Sequence, residues 1–287
     1  MFSTVTLREG RTLEYVDLGD PAGPPVLFFS GTPATGGQAR VIVEAVERHG
    51  VRVVGPSRPG YGASTLTPPS LAATATDTLE LADELGLDRF VTLGLSGGGP
   101  FALAVAALTP ERVTSVAVHA GPAPYVEVKP EVLEDVDRRA LAMIADGDVD
   151  GAMALEIPLA DDELAELRGL SAEDFAAALQ KTAPPGPNWF EEHPEARSAF
   201  DADFQRAIET SEGYVRDNLS WLGPWDIDLG AVTSPVRLVY GDADGMVPQD
   251  HGEWLRERLA TSDWHVVPGG HGHATFGAAG DTFAALT

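Results

Sequence analysis

The stretch Gly94-Leu95-Ser96-Gly97-Gly98 decides the fold of this chain. An apolar run, Phe90–Leu93, leads into it, and a helix-forming run, Pro100–Leu108, follows it. The pattern Gly-x-Ser-x-Gly between a strand and a helix holds a serine hydroxyl above the edge of a sheet, where helix N–H groups can stabilise an oxyanion. We therefore predict that Ser96 is a nucleophile; a plain glycine-rich turn is the alternative explanation of the same five residues.

Short apolar runs alternate with helical patterns on both sides of this turn. Such alternation predicts a mostly parallel central sheet with helices on both faces. A hairpin over Val5–Arg8 and Leu13–Leu18 precedes it. The predicted strands of the sheet are Val26–Phe29, Val51–Val54, Phe90–Leu95, Val113–Val118, Val236–Tyr240 and Trp264–Val267, and the predicted helices include Gln38–His49, Leu71–Leu85 and His251–Leu259.

The alternation stops in the middle of the chain. From Ala123 to Trp225 no strand-like apolar run occurs, and Glu127–Asp174 carries 15 acidic and 4 basic residues in helical segments. We therefore expect an α/β core made of residues 1–122 and 226–287, with residues 123–225 forming a helical cap inserted after strand 6.

Composition excludes several classes of function. The 287 residues carry a formal charge of −25, which would repel nucleic acid. The absence of cysteine excludes disulfides, thiolate metal sites and a cysteine nucleophile. Since no apolar segment is long enough for a bilayer and no signal-peptide pattern begins the sequence, we expect a cytoplasmic protein that does not bind membranes.

A serine nucleophile needs a base, and the base needs an acid that orients it. The acid candidates lie in Gly241-Asp242-Ala243-Asp244-Gly245-Met246-Val247-Pro248, directly after a predicted strand. We favour Asp244 because it lies further from the strand end, whereas Asp242 fits the chemistry of the turn itself. A solvated turn remains the alternative for both.

The histidine candidates follow the next strand, in Pro268-Gly269-Gly270-His271-Gly272-His273. Histidine is suited to move protons near neutral pH, and the glycines would let either ring reach a site. We favour His273, which directly precedes the predicted terminal helix, over His271. The two are only two residues apart and no third ligand is evident, so we predict no metal site. The histidines assigned to caps, surface or insertion positions are His49, His119, His193 and His251.

The oxyanion hole should use backbone donors. One is the N–H of Gly97, directly after the nucleophile, and the other is the N–H of Thr32 in the loop Ser30-Gly31-Thr32-Pro33. An ordinary turn is the alternative interpretation of that loop.

Taken together, these motifs resemble the α/β-hydrolase superfamily over most of the chain. The segments, in the order typical of that family, are Ser30–Pro33, Ser57–Ser64, Gly94–Gly98, Gly241–Pro248 and Gly269–His273. The resemblance implies the α/β-hydrolase fold and a Ser96-His273-Asp244 triad. It also implies an oxyanion hole at Thr32 and Gly97, and no cofactor. The family often has His-Gly where this chain has Ser30-Gly31, and many members have Asp where this chain has Ser57.

The implied function is a serine hydrolase that cleaves a small-molecule carboxylic ester or lactone through an acyl-enzyme. The family's dehalogenases and epoxide hydrolases use an aspartate nucleophile, and Ser96 argues against both activities. An amidase, a thioesterase or a carbon–carbon bond hydrolase would use the same triad, and a non-catalytic small-ligand receptor could share the fold. Four aromatic residues of the insertion could roof an apolar pocket or simply pack: Trp189, Phe190, Trp221 and Trp225.

Overall fold

An eight-stranded sheet forms the centre of the protein in the computed structural model, which describes residues 1–171, 173–174 and 189–286. Its strand order is β1-β2-β4-β3-β5-β6-β7-β8. The strands β2 and β4 pair antiparallel, as do β1 and β2, and the six strands from β3 to β8 run parallel. The strands are β1 Phe2–Thr6, β2 Thr12–Gly19, β3 Pro25–Phe29, β4 Arg52–Pro56, β5 Phe90–Leu95, β6 Val113–His119, β7 Val236–Gly241 and β8 Ser262–Val267.

Both faces of the central strands are covered, as their apolar sequences predict. Every residue of β5 is buried, and so are Val26 to Phe29 of β3. Helix α3, Gly99–Leu108, is itself buried from Gly99 to Ala106 because it packs directly on β5 and β6. The predicted mostly parallel sheet with helices on both faces is thus confirmed.

Helices connect the strands, and short 3-10 helices lie at Gly36–Ile42, Ser96–Gly98, Pro130–Val132 and Leu229–Ala231. None of the helices that the structure describes is long and apolar enough to span a bilayer. Besides α3, the described α-helices are α1 Val43–His49, α2 Leu71–Glu84, α4 Tyr125–Val128, α5 Asp135–Ala145, α6 Val149–Ala165, α7 Trp189–Glu192, α8 Pro194–Ala207, α9 Glu212–Trp221, α10 Gln249–Arg258 and α11 Ala279–Leu286.

The helices α4 to α9 lie in the segment between β6 and β7, which we call the helical insertion (residues 123–225). It has a small apolar cluster of its own, which includes Ala140, Ala152, Val215 and Leu219. Its last two helices also contact the core: α8 packs against the 3-10 helix that follows β3, and α9 contacts the turn at Ser96.

The topology brings four loops to one edge of the sheet. The chain passes from β3 to β4 on one side and then to β5 on the other, so the connections diverge between β3 and β5. Ligands of open α/β sheets bind at the carboxyl ends of the strands beside such a switch point. The loops after β3, β5, β7 and β8 hold the predicted site residues at this edge.

Candidate active site

Ser96 lies at the sharp turn between β5 and α3. Its φ is +50°, a left-handed conformation that costs a non-glycine residue roughly 1–2 kcal/mol. The glycines make this turn possible, because a Cβ at Gly94 would lie 2.5 Å from the carbonyl oxygen of Gly98, and one at Gly98 would lie 2.1 Å from that of Phe29. Ser96 is half-buried, while its neighbours from Phe90 to Pro100 are buried.

The two expected oxyanion donors are brought together. The backbone of Gly97 lies so close to Thr32 that a Cβ on Gly97 would be 3.5 Å from the Thr32 nitrogen and 2.5 Å from its Oγ1. The loop after β3 and the turn after β5 therefore meet at these two residues, beside the serine.

Asp244, whose side chain is buried, forms a partly buried hydrogen bond with a histidine of the next loop. Its Oδ2 lies 2.7 Å from Nδ1 of His271, and its Oδ1 accepts the N–H groups of Met246 at 2.8 Å and Val247 at 3.0 Å. Burial alone would raise the pKa of Asp244, but the hydrogen bond and charge of His271 and the two N–H groups together hold it below its usual value. An ionised carboxylate only accepts, so Nδ1 of His271 carries a hydrogen that points to Asp244, and in the neutral form of the ring Nε2 is the nitrogen that can accept a proton.

The histidine that meets Asp244 is His271, and the expected pairing with His273 is not what the structure shows. Both histidines lie on one helical turn, in which the N–H of His273 bonds the carbonyl of Gly270 at 3.1 Å. Residues two apart on a helix point roughly 200° apart, so only one ring can face the carboxylate. The His273 ring lies against Gly269, and its buried Nδ1 has no hydrogen-bond partner among the described residues.

Asp242 has the role of a turn residue. Its Oδ1 accepts the N–H of Gly269 at 2.8 Å and so ties the loop after β7 to the loop after β8. Asp242 is exposed, whereas the side chain of Asp244 has an exposed fraction of 0%.

A second histidine supports the loop that carries His271. His119 is fully buried at the end of β6, with Nδ1 at 2.9 Å from the carbonyl of Thr275 and Nε2 at 2.8 Å from Oγ1 of Thr282. Thr275 in turn donates its hydroxyl to the carbonyl of His271 at 2.7 Å. Burial lowers the pKa of His119 to about 4, so the ring is neutral and donates from Nδ1.

His119 and His251 were expected at caps, the surface or the insertion, and both are instead fully buried. Nδ1 of His251 accepts the N–H of Ala123 at 3.0 Å, and burial lowers its pKa to about 4. The available signal for His119 was its place directly after the apolar run Val113–Val118, at a strand's carboxyl end.

Sequence analysis also missed a buried ion pair beside the loop Ser30–Pro33. Arg58, after β4, and Asp217, on α9, pair at 2.6 Å with both side chains at 0% exposure. Arg58 also donates to the carbonyl oxygens of Ser30 and Gly31. The hydroxyl of Ser30, which stands where the family often has histidine, donates to the carbonyl of Thr35 at 2.6 Å.

A cavity of about 430 Å³ lies elsewhere, between helices of the insertion. Its lining includes Glu134, Asp137, Glu156 and Glu163, and burial together with the first two raises the pKa of Glu156. None of Ser96, Asp244 and His271 lines it, so it is separate from the candidate site. Among the residues that the structure describes, no group of three or more His, Asp or Glu side chains could hold a metal ion.

Residues 24–276 match the family described as alpha/beta hydrolase fold. The chain belongs to this family. A putative non-heme chloroperoxidase from Synechocystis sp. is 26% identical to this α/β hydrolase over 278 residues, which cover 94% of this chain and 92% of that protein.

Two solved structures share the fold of this α/β hydrolase over nearly its whole length. A thermophilic esterase from Thermogutta terrifontis matches with a TM-score of 0.68 and 22% identity, covering 100% of this chain and 96% of that one. The enol-lactonase from Burkholderia xenovorans LB400 matches with a TM-score of 0.65 and 18% identity, covering 99% of both chains. Membership of this family supports the assignment of the chain to the hydrolases.

Proposed function

We propose that this protein is a serine hydrolase that cleaves a carboxylic ester or lactone through an acyl-enzyme, with Ser96, His271 and Asp244 as its triad. The observation that carries the proposal is the partly buried hydrogen bond between Asp244 and His271, at the sheet edge where Ser96 lies in its left-handed turn. A carboxylate that orients an imidazole close to a serine turn is the arrangement that activates a hydroxyl.

In the proposed mechanism, Nε2 of His271 accepts the hydroxyl proton of Ser96 as Oγ attacks the substrate carbonyl. Asp244 holds the proton on Nδ1 and stabilises the imidazolium that forms. The N–H groups of Gly97 and Thr32 stabilise the oxyanion, each contributing about 3 kcal/mol. His271 then protonates the leaving alkoxide, which in a lactone stays attached to the acyl group. Water, deprotonated by His271, finally releases the acid and restores Ser96.

The substrate class is supported by the neighbours and by the identity of the nucleophile. The two structural neighbours described above are an esterase and an enol-lactonase. We do not infer an apolar substrate from the aromatic residues of the insertion, because Trp189 stacks on His193 at 4.1 Å between ring centroids and Phe190 packs on Phe276 at 5.4 Å. These contacts show the two aromatic side chains packing against other residues of the protein.

Hydrolysis of p-nitrophenyl acetate by matched variants tests the triad. We expect Ser96→Ala and His271→Gln each to lower kcat by at least about 10⁴-fold, as loss of a triad member does. His273→Gln is the matched control, since it changes the other histidine of the same helical turn, and it should keep most of the activity. Undiminished turnover by Ser96→Ala would refute the nucleophile. An inactive His273→Gln beside an active His271→Gln would reverse the choice of base.

Labelling by a fluorophosphonate probe separates an enzyme from a non-catalytic receptor on the same fold. We expect wild-type protein to be labelled at Ser96, and His271→Gln to be labelled much more slowly because its serine is no longer activated. A receptor without a poised serine would stay unlabelled. A panel of esters, lactones, thioesters and amides, with a substrate cleaved at a carbon–carbon bond, would then rank the substrate classes by kcat/KM.

A further inference from the structure

The orientation of the Thr32 N–H is fixed from the other end of its own peptide unit. The carbonyl of Gly31 and the N–H of Thr32 belong to one planar group and point in opposite directions, so holding one holds the other. Nη2 of Arg58 donates to that carbonyl at 2.7 Å, and Nη1 donates to the carbonyl of Ser30 at 2.6 Å. The preceding peptide is held at both ends, because the N–H of Gly31 donates to Oε1 of Gln38 at 2.7 Å.

Asp217 completes this arrangement from the helical insertion. Nε of Arg58 lies 3.0 and 2.9 Å from the two Asp217 oxygens, and the hydroxyl of Thr32 donates to Asp217 at 3.0 Å. The same hydroxyl accepts a bond from Arg58 at 3.1 Å. Because this hydroxyl is engaged by Arg58 and Asp217, the group of Thr32 that serves an oxyanion is its backbone N–H.

We infer that Arg58 and Asp217 are positioning residues for the oxyanion hole: Arg58 aims the N–H of Thr32 by holding the carbonyl of the same peptide, and Asp217 holds Arg58. The inference rests on the proposed function, which makes the Thr32 N–H an oxyanion donor. Because Asp217 lies on α9, the inference also makes turnover depend on a helix of the insertion that carries no residue of the triad.

The chemistry of this pair fits a positioning role. The planar guanidinium can serve two carbonyls and a carboxylate at once, which a lysine ammonium cannot do in the same geometry. Its charge also polarises the Gly31–Thr32 peptide, and polarisation along a hydrogen-bonded chain strengthens the N–H as a donor. The guanidinium carbon lies 4.9 Å from the centroid of the Phe101 ring, and this packing restricts the side chain further.

The test is the split between kcat and KM for p-nitrophenyl acetate in Arg58→Lys and Asp217→Asn. Arg58→Lys keeps a positive charge beside Asp217 but loses the simultaneous bonds to two carbonyls. We expect kcat to fall about 10- to 100-fold in each variant, less than the loss caused by deleting an oxyanion donor, while KM stays within about twofold. Thermal unfolding monitored by circular dichroism ensures that each rate is measured well below Tm.

Arg206→Met is the matched control. Arg206, on α8, also joins the insertion to the core through a buried carboxylate, Glu14, at 2.6 Å, but it does not bond the Ser30–Thr32 carbonyls. We expect it to lower Tm and to leave kcat unchanged. The inference is overturned if Arg58→Lys keeps the wild-type kcat, or if Arg206→Met lowers kcat as much as Arg58→Lys does. Either of these results leaves the proposed function intact, provided that Ser96→Ala is inactive. An active Ser96→Ala would refute the proposed function and this inference with it.

Discussion

A single methyl group at Gly97 should damage the proposed oxyanion hole. In Gly97→Ala the new Cβ would lie 2.5 Å from Oγ1 and 2.9 Å from Cβ of Thr32. Non-bonded heavy atoms pack at about 3.5–4.0 Å, so the two backbones must separate by about 1 Å. The Thr32 side chain cannot rotate away without cost, because its hydroxyl is held by Arg58 and Asp217.

This displacement sets the expected magnitude. Oxyanion hydrogen bonds act at about 2.7–3.1 Å, and a shift of about 1 Å removes one of them from that range. Loss of one oxyanion donor lowers kcat by about 10²- to 10³-fold, and overpacking of a buried contact lowers the free energy of unfolding by roughly 1–3 kcal/mol. We therefore expect a folded Gly97→Ala protein with kcat reduced at least about 100-fold and KM little changed.

Steady-state hydrolysis of p-nitrophenyl acetate, with a thermal melt of the same sample, measures both effects. Gly280→Ala is the matched glycine control, because a Cβ there meets no atom within 4 Å, and we expect wild-type rates from it. A Gly97→Ala protein with a kcat within twofold of wild type would refute the proposal that the N–H groups of Gly97 and Thr32 together stabilise the oxyanion.

Further predictions concern the acid of the triad and two buried titratable groups. Asp244→Asn should lower kcat by about 10⁴-fold because an amide no longer fixes the imidazole tautomer, whereas Asp242→Asn should leave kcat nearly unchanged in the same ester assay. Burial raises the pKa of Asp203 to about 6 from 3.8 although its carboxylate accepts the N–H and hydroxyl of Thr35. The folded state therefore binds this proton more tightly than the unfolded state, and the free energy of unfolding falls as pH rises from about 4 to 6. The loss amounts to about 3 kcal/mol. Asp203→Asn should abolish it, as measured by urea unfolding at pH 4 and pH 7. The pH dependence contributed by His119 runs in the opposite direction, because its pKa in the folded protein is lowered to about 4. The stability that His119 contributes is present above pH 6.5 and is lost as pH falls towards 4. His119→Gln should remove about 3 kcal/mol of that acid sensitivity, and an unchanged pH profile in the same unfolding experiment would contradict it.

Local rules were sufficient to predict the tight turn at Ser96, because that turn depends on residues close together in the sequence. The strand, the glycines and the helix around Ser96 specify a tight turn, because any side chain at Gly94 or Gly98 would collide with backbone oxygens. The same reasoning placed Gly97 beside Thr32, since the carboxyl ends of neighbouring parallel strands share an edge. The preference for Asp244 over Asp242 agrees with the contacts, because Asp244 bonds the ring of His271, whereas Asp242 bonds only the backbone N–H of Gly269.

Sequence alone could not choose the histidine. His271 and His273 both follow a glycine, and the directions of their side chains depend on where the helical turn begins. The structure begins that turn at Gly270, before both histidines, whereas the preference for His273 assumed a helix that starts after it. A shift of two residues in a helix start rotates the chosen ring by roughly 200° and thereby reverses the assignment.

The positioning pair was missed for a different reason. Arg58 and Asp217 are 159 residues apart, and each alone looks like an ordinary charged residue in an acidic chain. Their meeting depends on how α9 docks against the loop after β4, and no local pattern encodes that docking. His119 was placed wrongly because a histidine at a strand end is compatible with either solvent or a buried hydrogen-bond network.

The anchoring of α9 restricts how a substrate can enter. Neighbouring residues of this helix hold it to the core in different places: Asp217 pairs with Arg58, and Arg216 donates to the carbonyl of Thr67 at 3.0 Å and to the hydroxyl of Thr74 at 2.8 Å. Detaching α9 would break all of these hydrogen bonds at once, which makes a detached helix unfavourable. We therefore expect a substrate to approach Ser96 while α9 stays docked on the core.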